Sequence, residues 1–472
     1  MRKHLFIEGK WVEAGEYRPL FSPYSGEQIA EIAYAGAAEV QRALVAAERA
    51  RPLMARMPAH ERAAILERLA ALIRERAEEC AGIIALEAAK PLKTARLEVE
   101  RTIATYKFAA EEAKRIHGET IPMDAAPGGE DRVAYTIRQP LGVIAAITPF
   151  NFPMNLVAHK VGPALAAGNT LVLKPAGQTP LSALLLAELL QQAGLPAGAL
   201  NVVTGSGSAI GDLLVTDERV KAVTFTGSPE VGIAIRSKAG LKKVVLELGS
   251  NSALIVDQGT DVDGMIARAV TGAFSYAGQV CISIQRIYVH EQLFDEFVGK
   301  FVKQTEMLRL GDPLDLQTDL SAVISARDAK RAMEWIADAE KSGAVVATGN
   351  RKEGNVVHPT VLLHVDAASS VSCREAFAPI VMINKIASVE EGIRLVNDSR
   401  YGLQAGIYTQ NIRTAFAAAE TLEVGGVMIN DIPTFRVDQM PYGGVKESGT
   451  GREGVKYAVE ELTELKLICF KK

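Results

Sequence analysis

Residues Leu141–Lys174 read LGVIAAITPFNFPMNLVAHKVGPALAAGNTLVLK. The apolar run Leu141–Ile147 is too short to cross a bilayer and is stopped by Thr148 and Pro149, so it predicts a buried strand. A helix follows over Asn155–Ala167, then a second strand over Thr170–Lys174. The rhythm continues with helix Leu181–Ala193, strand Leu200–Val203, helix Ser208–Leu214, strand Ala222–Phe225, helix Pro229–Ala239 and strand Lys243–Leu248. Strands alternating with helices make right-handed crossovers, which predicts a parallel sheet covered on both faces. Such sheets bind ligands beyond the carboxyl ends of their strands. Here those ends are Thr148–Pro153, Lys174–Thr179, Thr204–Gly207, Thr226–Ser228 and Glu247–Ser250.

A second alternating section runs from Ala253–Val256 to about residue 430, so the fold class expected is α/β with two such domains. Residues 38–116 read as helical, with Ile65, Leu66, Leu69, Leu72 and Ile73 forming a packing stripe and Pro58 and Pro91 as breaks. The turn Pro127–Asp131 leads into alternating Val133–Arg138, and Glu461–Phe470 reads as a strand. The 472 residues exceed what one simple core accommodates. A net charge of −4 gives no reason to expect a nucleic-acid or membrane partner, and no apolar run suits a signal peptide. Four unpaired cysteines, Cys80, Cys281, Cys373 and Cys469, suit a reducing, cytoplasmic setting. Seven scattered histidines show no metal-ligand spacing, so no metal site is expected.

Several side chains at the strand ends carry chemistry, each with a structural alternative. The turn Phe225-Thr226-Gly227-Ser228 opens a helix whose free N–H groups suit a phosphate, though it is not a GxGxxG motif and also fits a plain strand-to-helix turn. Lys174 is placed to meet ribose or phosphate, or else is a solvated lysine. Glu247 follows Val244, Val245 and Leu246; burial there raises a carboxyl toward general-base range, unless backbone donors satisfy it. Asn151, boxed by two prolines and two phenylalanines, is a preorganised oxyanion donor or the keeper of its own turn. Cys281, in Phe274–Ser283, is a nucleophile or a buried thiol.

Taken in order, Asn151, Lys174, Phe225–Ser228, Glu247 and Cys281, with Glu375-Ala376-Phe377 and Pro441–Gly449, resemble the NAD(P)-dependent aldehyde dehydrogenase superfamily. The resemblance extends from about Ile7 to the C-terminus. It implies a Rossmann-like NAD(P)-binding domain of residues 1–118 and 139–246, a catalytic domain of 247–447, and an oligomerisation element of 119–138 and 448–472 that builds a homodimer or homotetramer. In this family the residue matching Cys281 attacks the aldehyde, hydride leaves to the nicotinamide, and a thioester is hydrolysed by water that the residue matching Glu247 activates. The oxyanion donors are then the Asn151 amide and the Cys281 N–H. The resemblance also implies that Lys174 binds the adenosine ribose, Gly207 lines the adenine side, and Phe225, Thr226, Gly227 and Ser228 form the pyrophosphate turn. Leu248 would abut the nicotinamide, Glu375 hold its ribose, and Phe377 pack against that end. Ala277 and Gly278 are expected to leave room for nicotinamide and substrate beside the sulfur.

Two departures stand out. Gly177 replaces the acid that many NAD-preferring members carry, which removes repulsion of a 2′-phosphate and makes NADP as well as NAD usable. Ser250 replaces a glycine after Glu247-Leu248-Gly249. The loop Asn430–Pro441 resembles that of lactaldehyde and non-phosphorylating glyceraldehyde-3-phosphate dehydrogenases. It implies a small hydroxylated or anionic aldehyde, with Arg436 and Arg101 as anion clamps or as members of structural ion pairs. CoA-acylating relatives generally lack the base that Glu247 supplies, and a non-catalytic member would have lost Cys281, Asn151 or Glu247.

Overall fold

The structure, a computed structural model, describes residues 1–472. Val143–Ile147 and Thr170–Lys174 pair in parallel, and Leu200–Val202, Val220–Thr226 and Lys243–Glu247 extend the ladder. The unbroken apolar runs have a simple cause. Ile144 and Ala146 enter the core on one face of the sheet, while Val143, Ala145 and Ile147 enter the core on the other. A strand buried on both faces has no side left for polar residues. The spatial order is Lys243–Glu247, Val220–Thr226, Val143–Ile147, Thr170–Lys174, Leu200–Val202. It reverses between Val143–Ile147 and Val220–Thr226, and such a reversal opens a crevice beyond the carboxyl ends. Antiparallel edges complete the eight strands: Gly449–Thr450 on one side, Leu5–Ile7 and Lys10–Val12 on the other.

The second sheet has seven strands in the order Val345–Thr348, Thr360–Leu363, Ile380–Ile386, Arg286–His290, Ala253–Val256, Gln404–Tyr408, Gly426–Ile429. All pair in parallel except Val345–Thr348, and the sheet has its own core. The fold class is α/β, as expected. One placement differs from the general rule for such sheets. Cys281 precedes Arg286–His290, and Glu375 and Phe377 precede Ile380–Ile386. The site therefore forms where the carboxyl edge of the first sheet meets the amino edge of the second.

Residues 37–113 form four helices, Ala37–Arg56, Ala59–Glu75, Ala77–Ala88 and Leu92–Ala113; Pro58 and Pro91 cap the second and fourth. A proline costs nothing at a helix start, where its missing N–H has no partner to lose. Thr463–Lys471 pairs antiparallel with Arg132–Pro140 along its whole length, and Thr120–Ile121 adds a third strand. The segment 448–472 is divided, however. Gly449–Thr450 joins the first sheet beside Glu247, and helix Val455–Glu461 packs on helix Asn155–Ala166, so only the final strand pairs with Arg132–Pro140. A small sheet of Arg2–Lys3, Gln28–Tyr34 and Glu16–Phe21 had no distinct signal in the sequence. No helix is long and apolar enough to cross a membrane.

Candidate active site

Cys281 lines two cavities, one of about 670 Å³ on the side of the first sheet and one of about 200 Å³ beneath helix Leu92–Ala113. The chain reaches it through three successive left-handed residues, Tyr276 (φ 50°), Ala277 (φ 53°) and Gly278 (φ 69°). The first two cost roughly 1–2 kcal/mol each in that conformation, so the turn must be held from outside. Tyr276 donates its hydroxyl to the Ala88 carbonyl at 2.9 Å, and the Gln279 amide accepts from the Ile324 N–H at 2.9 Å. A Cβ on Gly278 would stand 2.2 Å from the Ala378 carbonyl oxygen. This corrects the expectation for Ala277 and Gly278: Ala277 belongs to the second core, and Gly278 makes room for the Ala378 backbone rather than for a ligand.

Asn151 is fully buried at the crevice and lines the larger cavity. Its Nδ2 donates to the Gln279 carbonyl at 3.0 Å, which leaves one amide hydrogen free. The Cys281 N–H donates to no backbone acceptor. Burial pushes the Cys281 thiol up to about 12, with nearby Glu375 adding to the effect, so the resting sulfur is a neutral thiol.

Glu247 ends its strand with both carboxylate oxygens buried and without partners. Burial first, and then the Glu453 carboxylate, raise it well above the ordinary glutamate range, against the pull of Arg436, Lys160 and Arg452. Burial also opposes charge on Glu453. Lys160 at 3.1 Å and Arg436 at 2.9 Å nevertheless hold that carboxyl down at about 2. The two acids are thus driven apart, Glu453 charged and Glu247 neutral at rest.

The larger cavity has the features of a dinucleotide site. Thr226, Gly227 and Ser228 lead into helix Pro229–Lys238, where Ser228 caps the helix by accepting from the Val231 N–H at 3.4 Å. Phe225 does not line the cavity. Its ring lies beneath Gly227, where a Cβ would come within 2.5 Å of it, and it belongs to the core. Leu248 presses on Gly232 in the same way. Glu375 accepts from the Ser250 N–H at 3.0 Å, and burial pushes its carboxyl up to about 7. Ser250 fits the turn because its hydroxyl bonds Ser252 at 3.0 Å. Phe377 meets Phe150 edge-on, with ring centroids 5.6 Å apart. Lys174 and Gly207 lie outside this cavity's lining. The buried Lys174 ammonium donates only to the Pro175 carbonyl at 3.3 Å and is lowered by burial to about 8, and Gly207 opens a helix with free space before it. Arg331, Trp335, Arg374, Arg400 and Tyr401 also line the cavity. They come from three segments, the helix Ala326–Lys341, the residue before Glu375 and the pair 400–401, and no motif in the sequence joined them.

The smaller cavity brings together Arg101 and Arg436. Arg101 donates through Nε and Nη2 to Asp438, at 3.3 and 2.8 Å. Arg436 lies 3.6 Å over the Tyr442 ring and donates through Nη2 to Glu453. Nη1 of each arginine makes no hydrogen bond within the protein, and Nε of Arg436 is buried without a partner. His159 stands between the two, its Nε2 2.8 Å from Asp438. Burial and then the Arg436 charge lower this imidazole's pKa, and the same Nε2 lies 3.3 Å from Arg436 Nη2. The arginines are therefore held by ion pairs, as the alternative reading had it, yet each keeps unspent donors.

The family model described as "Aldehyde dehydrogenase family" matches residues 11–468. The 3-sulfolactaldehyde dehydrogenase of Priestia megaterium is 47% identical over 464 residues, 98% of this chain and 97% of that one. The lactaldehyde dehydrogenase of Methanocaldococcus jannaschii is 41% identical over 472 residues, 99% of this chain and 100% of that one. Among solved structures, aldehyde dehydrogenase 21 from Physcomitrella patens in complex with the reaction product succinate matches with a TM-score of 0.97 at 40% identity, covering 100% of this chain and 98% of that one. Glyceraldehyde-3-phosphate dehydrogenase from Methanocaldococcus jannaschii complexed with NADP gives 0.94 at 40%, covering 97% and 100%.

Proposed function

The chain belongs to the aldehyde dehydrogenase family, and from that premise we propose that it oxidises a short aldehyde bearing a hydroxyl and a distal anion to the carboxylic acid, with NAD or NADP as electron acceptor. One observation carries this reading: Cys281 is shared by a cavity fit for a dinucleotide and a cavity walled by two arginines with free donors.

The larger cavity suits NAD(P) on its own chemistry. It joins a capped helix N-terminus, a cradle that a Cβ on Gly227 would fill, and the Glu375 carboxyl, which accepts from a single backbone N–H. Ser228 and the helix start take the pyrophosphate, Glu375 a ribose, and Leu248 and Phe377 the nicotinamide end. Lys174 takes the adenosine ribose at the neighbouring strand end. Held there, NAD(P) supplies the two-electron acceptor that turns a thiohemiacetal into a thioester.

The protein's own groups do the rest. When Glu247 is ionised, its carboxylate takes the Cys281 proton and passes it to solvent, while the sulfur forms a bond to the aldehyde carbon and the carbonyl π pair moves to the oxygen. The free amide hydrogen of Asn151 and the Cys281 N–H hold the oxyanion. After oxidation, Glu247 takes a proton from water as the water attacks the thioester carbon, and the Cys281 sulfur leaves. At the far end, Nη1 of Arg101 and Arg436 bind the carboxylate, sulfonate or phosphate of the substrate.

Arg436→Ala tests the clamp. KM for an anionic aldehyde such as glyceraldehyde 3-phosphate is expected to rise about 10–100-fold, the scale of one charged hydrogen bond, far more than KM for propanal. Equal effects on both would end the clamp reading. On the cofactor, Gly177 places no acid near the ribose; its Cβ direction faces the Tyr34 hydroxyl at 3.2 Å. Both cofactors are expected to work. A kcat/KM preference for NAD above about a thousandfold, roughly 4 kcal/mol, would count against this.

Strands Thr463–Lys471 and Arg132–Pro140 leave Leu465, Leu467, Phe470, Val133 and Tyr135 exposed. Apolar side chains on a short sheet are the kind of surface a second copy covers. Light scattering decides among monomer, dimer and tetramer.

A further inference from the structure

We propose that Tyr442 recognises a hydroxyl on the carbon next to the aldehyde and so sets the preference for 2-hydroxyaldehydes over unsubstituted ones. The inference rests on the aldehyde oxidation just described and concerns the part of the small cavity nearest the sulfur.

Most hydrogen-bonding groups around that cavity already have partners within the protein. The hydroxyls of Thr94 and Thr434 donate to backbone carbonyls, at 2.8 Å to Pro91 and 2.9 Å to Ile282. Lys90 and Glu98 pair with each other, and Asn155 is engaged by Thr105 and Asp438. Arg101 and Arg436 face the distal anion. That leaves two hydroxyls without protein partners, those of Ser275 and Tyr442. They differ in place. Tyr442 forms one apolar cluster with Ile282 and Leu403, and Cys281 packs against that cluster. Ser275 starts the left-handed turn, six residues before Cys281.

Tyr442 is otherwise well fixed. It is 5% exposed, its ring lies under the Arg436 guanidinium, and its backbone N–H donates to Glu453 at 3.0 Å. Its hydroxyl makes no hydrogen bond within the protein, yet it is not among the side-chain polar atoms sealed from solvent, so it opens to the cavity. A packed aromatic ring with an unspent hydroxyl beside the nucleophile is poorly explained by packing alone, because a phenyl ring would fill the same space. Burial holds the phenol well above its ordinary pKa, so it stays a neutral donor and acceptor at any working pH. A hydroxyl on C2 sits on the carbon bonded to the one that Cys281 attacks. The group that meets it must therefore stand beside the sulfur, and Tyr442 is the unengaged hydroxyl that does.

The test uses the full-length enzyme and four aldehydes: propanal with neither group, 2-hydroxypropanal with the hydroxyl, succinate semialdehyde with the anion, and glyceraldehyde 3-phosphate with both. Tyr442→Phe is expected to lower kcat/KM about tenfold for the two hydroxylated aldehydes and by less than about twofold for the others, the scale of one neutral hydrogen bond. Ser275→Ala should not separate the hydroxylated aldehydes from the other two. Equal losses across the four aldehydes in Tyr442→Phe would mean a structural or thiol-directed role and overturn the proposal. So would no loss at all, or a hydroxyl-selective loss in Ser275→Ala instead. Arg436→Ala moves the other axis, from charged to uncharged aldehydes. Failure of the anion clamp and failure of the hydroxyl reading are thus seen separately.

Discussion

Cys281→Ser is expected to lower kcat by at least about 10⁴-fold, the scale on which loss of a covalent nucleophile acts, while leaving the fold and cofactor binding intact. The substitution changes one atom in a side chain that borders two cavities, so it removes chemistry with little change in packing. The resting thiol is already held at about 12 by burial, and a serine hydroxyl in the same place is a still weaker acid. No oxygen nucleophile of comparable strength can form there. Reduced-nicotinamide absorbance reads the rate, and cofactor binding together with an unchanged melting temperature excludes unfolding as the cause. Activity equal to wild type would remove Cys281 from the mechanism. Cys80, Cys373 and Cys469 border neither cavity and are expected to be dispensable.

Glu247→Gln is expected to separate the two halves of the reaction. Steady-state turnover should fall about 10²–10⁴-fold, the usual contribution of a general base, because the thioester waits for water. A first burst of about one reduced nicotinamide per site should persist, though more slowly if Glu247 also takes the thiol proton. The pH dependence follows from the sign of the shift. Burial and Glu453 raise Glu247, with Arg436, Lys160 and Arg452 opposing. The base form therefore appears only as pH rises through that raised value, and wild-type activity should climb toward alkaline pH. In Glu247→Gln the part of the climb belonging to deacylation should vanish. An unchanged steady-state rate would assign water activation elsewhere.

Much of this arrangement was legible in the sequence because it is local. Ile144 and Ala146 alternate with Val143, Ala145 and Ile147 between two cores. A run buried on both faces has to read as unbroken apolar, which pointed to a parallel sheet. Asn151, Thr226 and Ser228 follow from strand ends, since the order reversal puts their loops side by side. What escaped was set by distant partners. The carboxyl and ammonium groups of Glu453 and Lys160 meet across 293 positions of chain, and neither sits in a recognisable spacing. Gly278 looked like room for a ligand because the Ala378 carbonyl that fills that space lies far along the chain. Phe225 looked like part of a phosphate turn, but the pleat sends its ring under Gly227 into the core. Arg436 was read as either clamp or ion pair. The structure gives it an ion pair with Glu453 and leaves other donors free, so the two readings were never exclusive.

The most direct test of a nucleophilic sulfur between two cavities is mass spectrometry of Glu247→Gln after mixing with NADP⁺ and glyceraldehyde 3-phosphate. The account predicts one acyl group per subunit, mapped to Cys281 as a thioester that hydroxylamine releases. Product formation with Cys281 unmodified, or the acyl group on another residue, would contradict it.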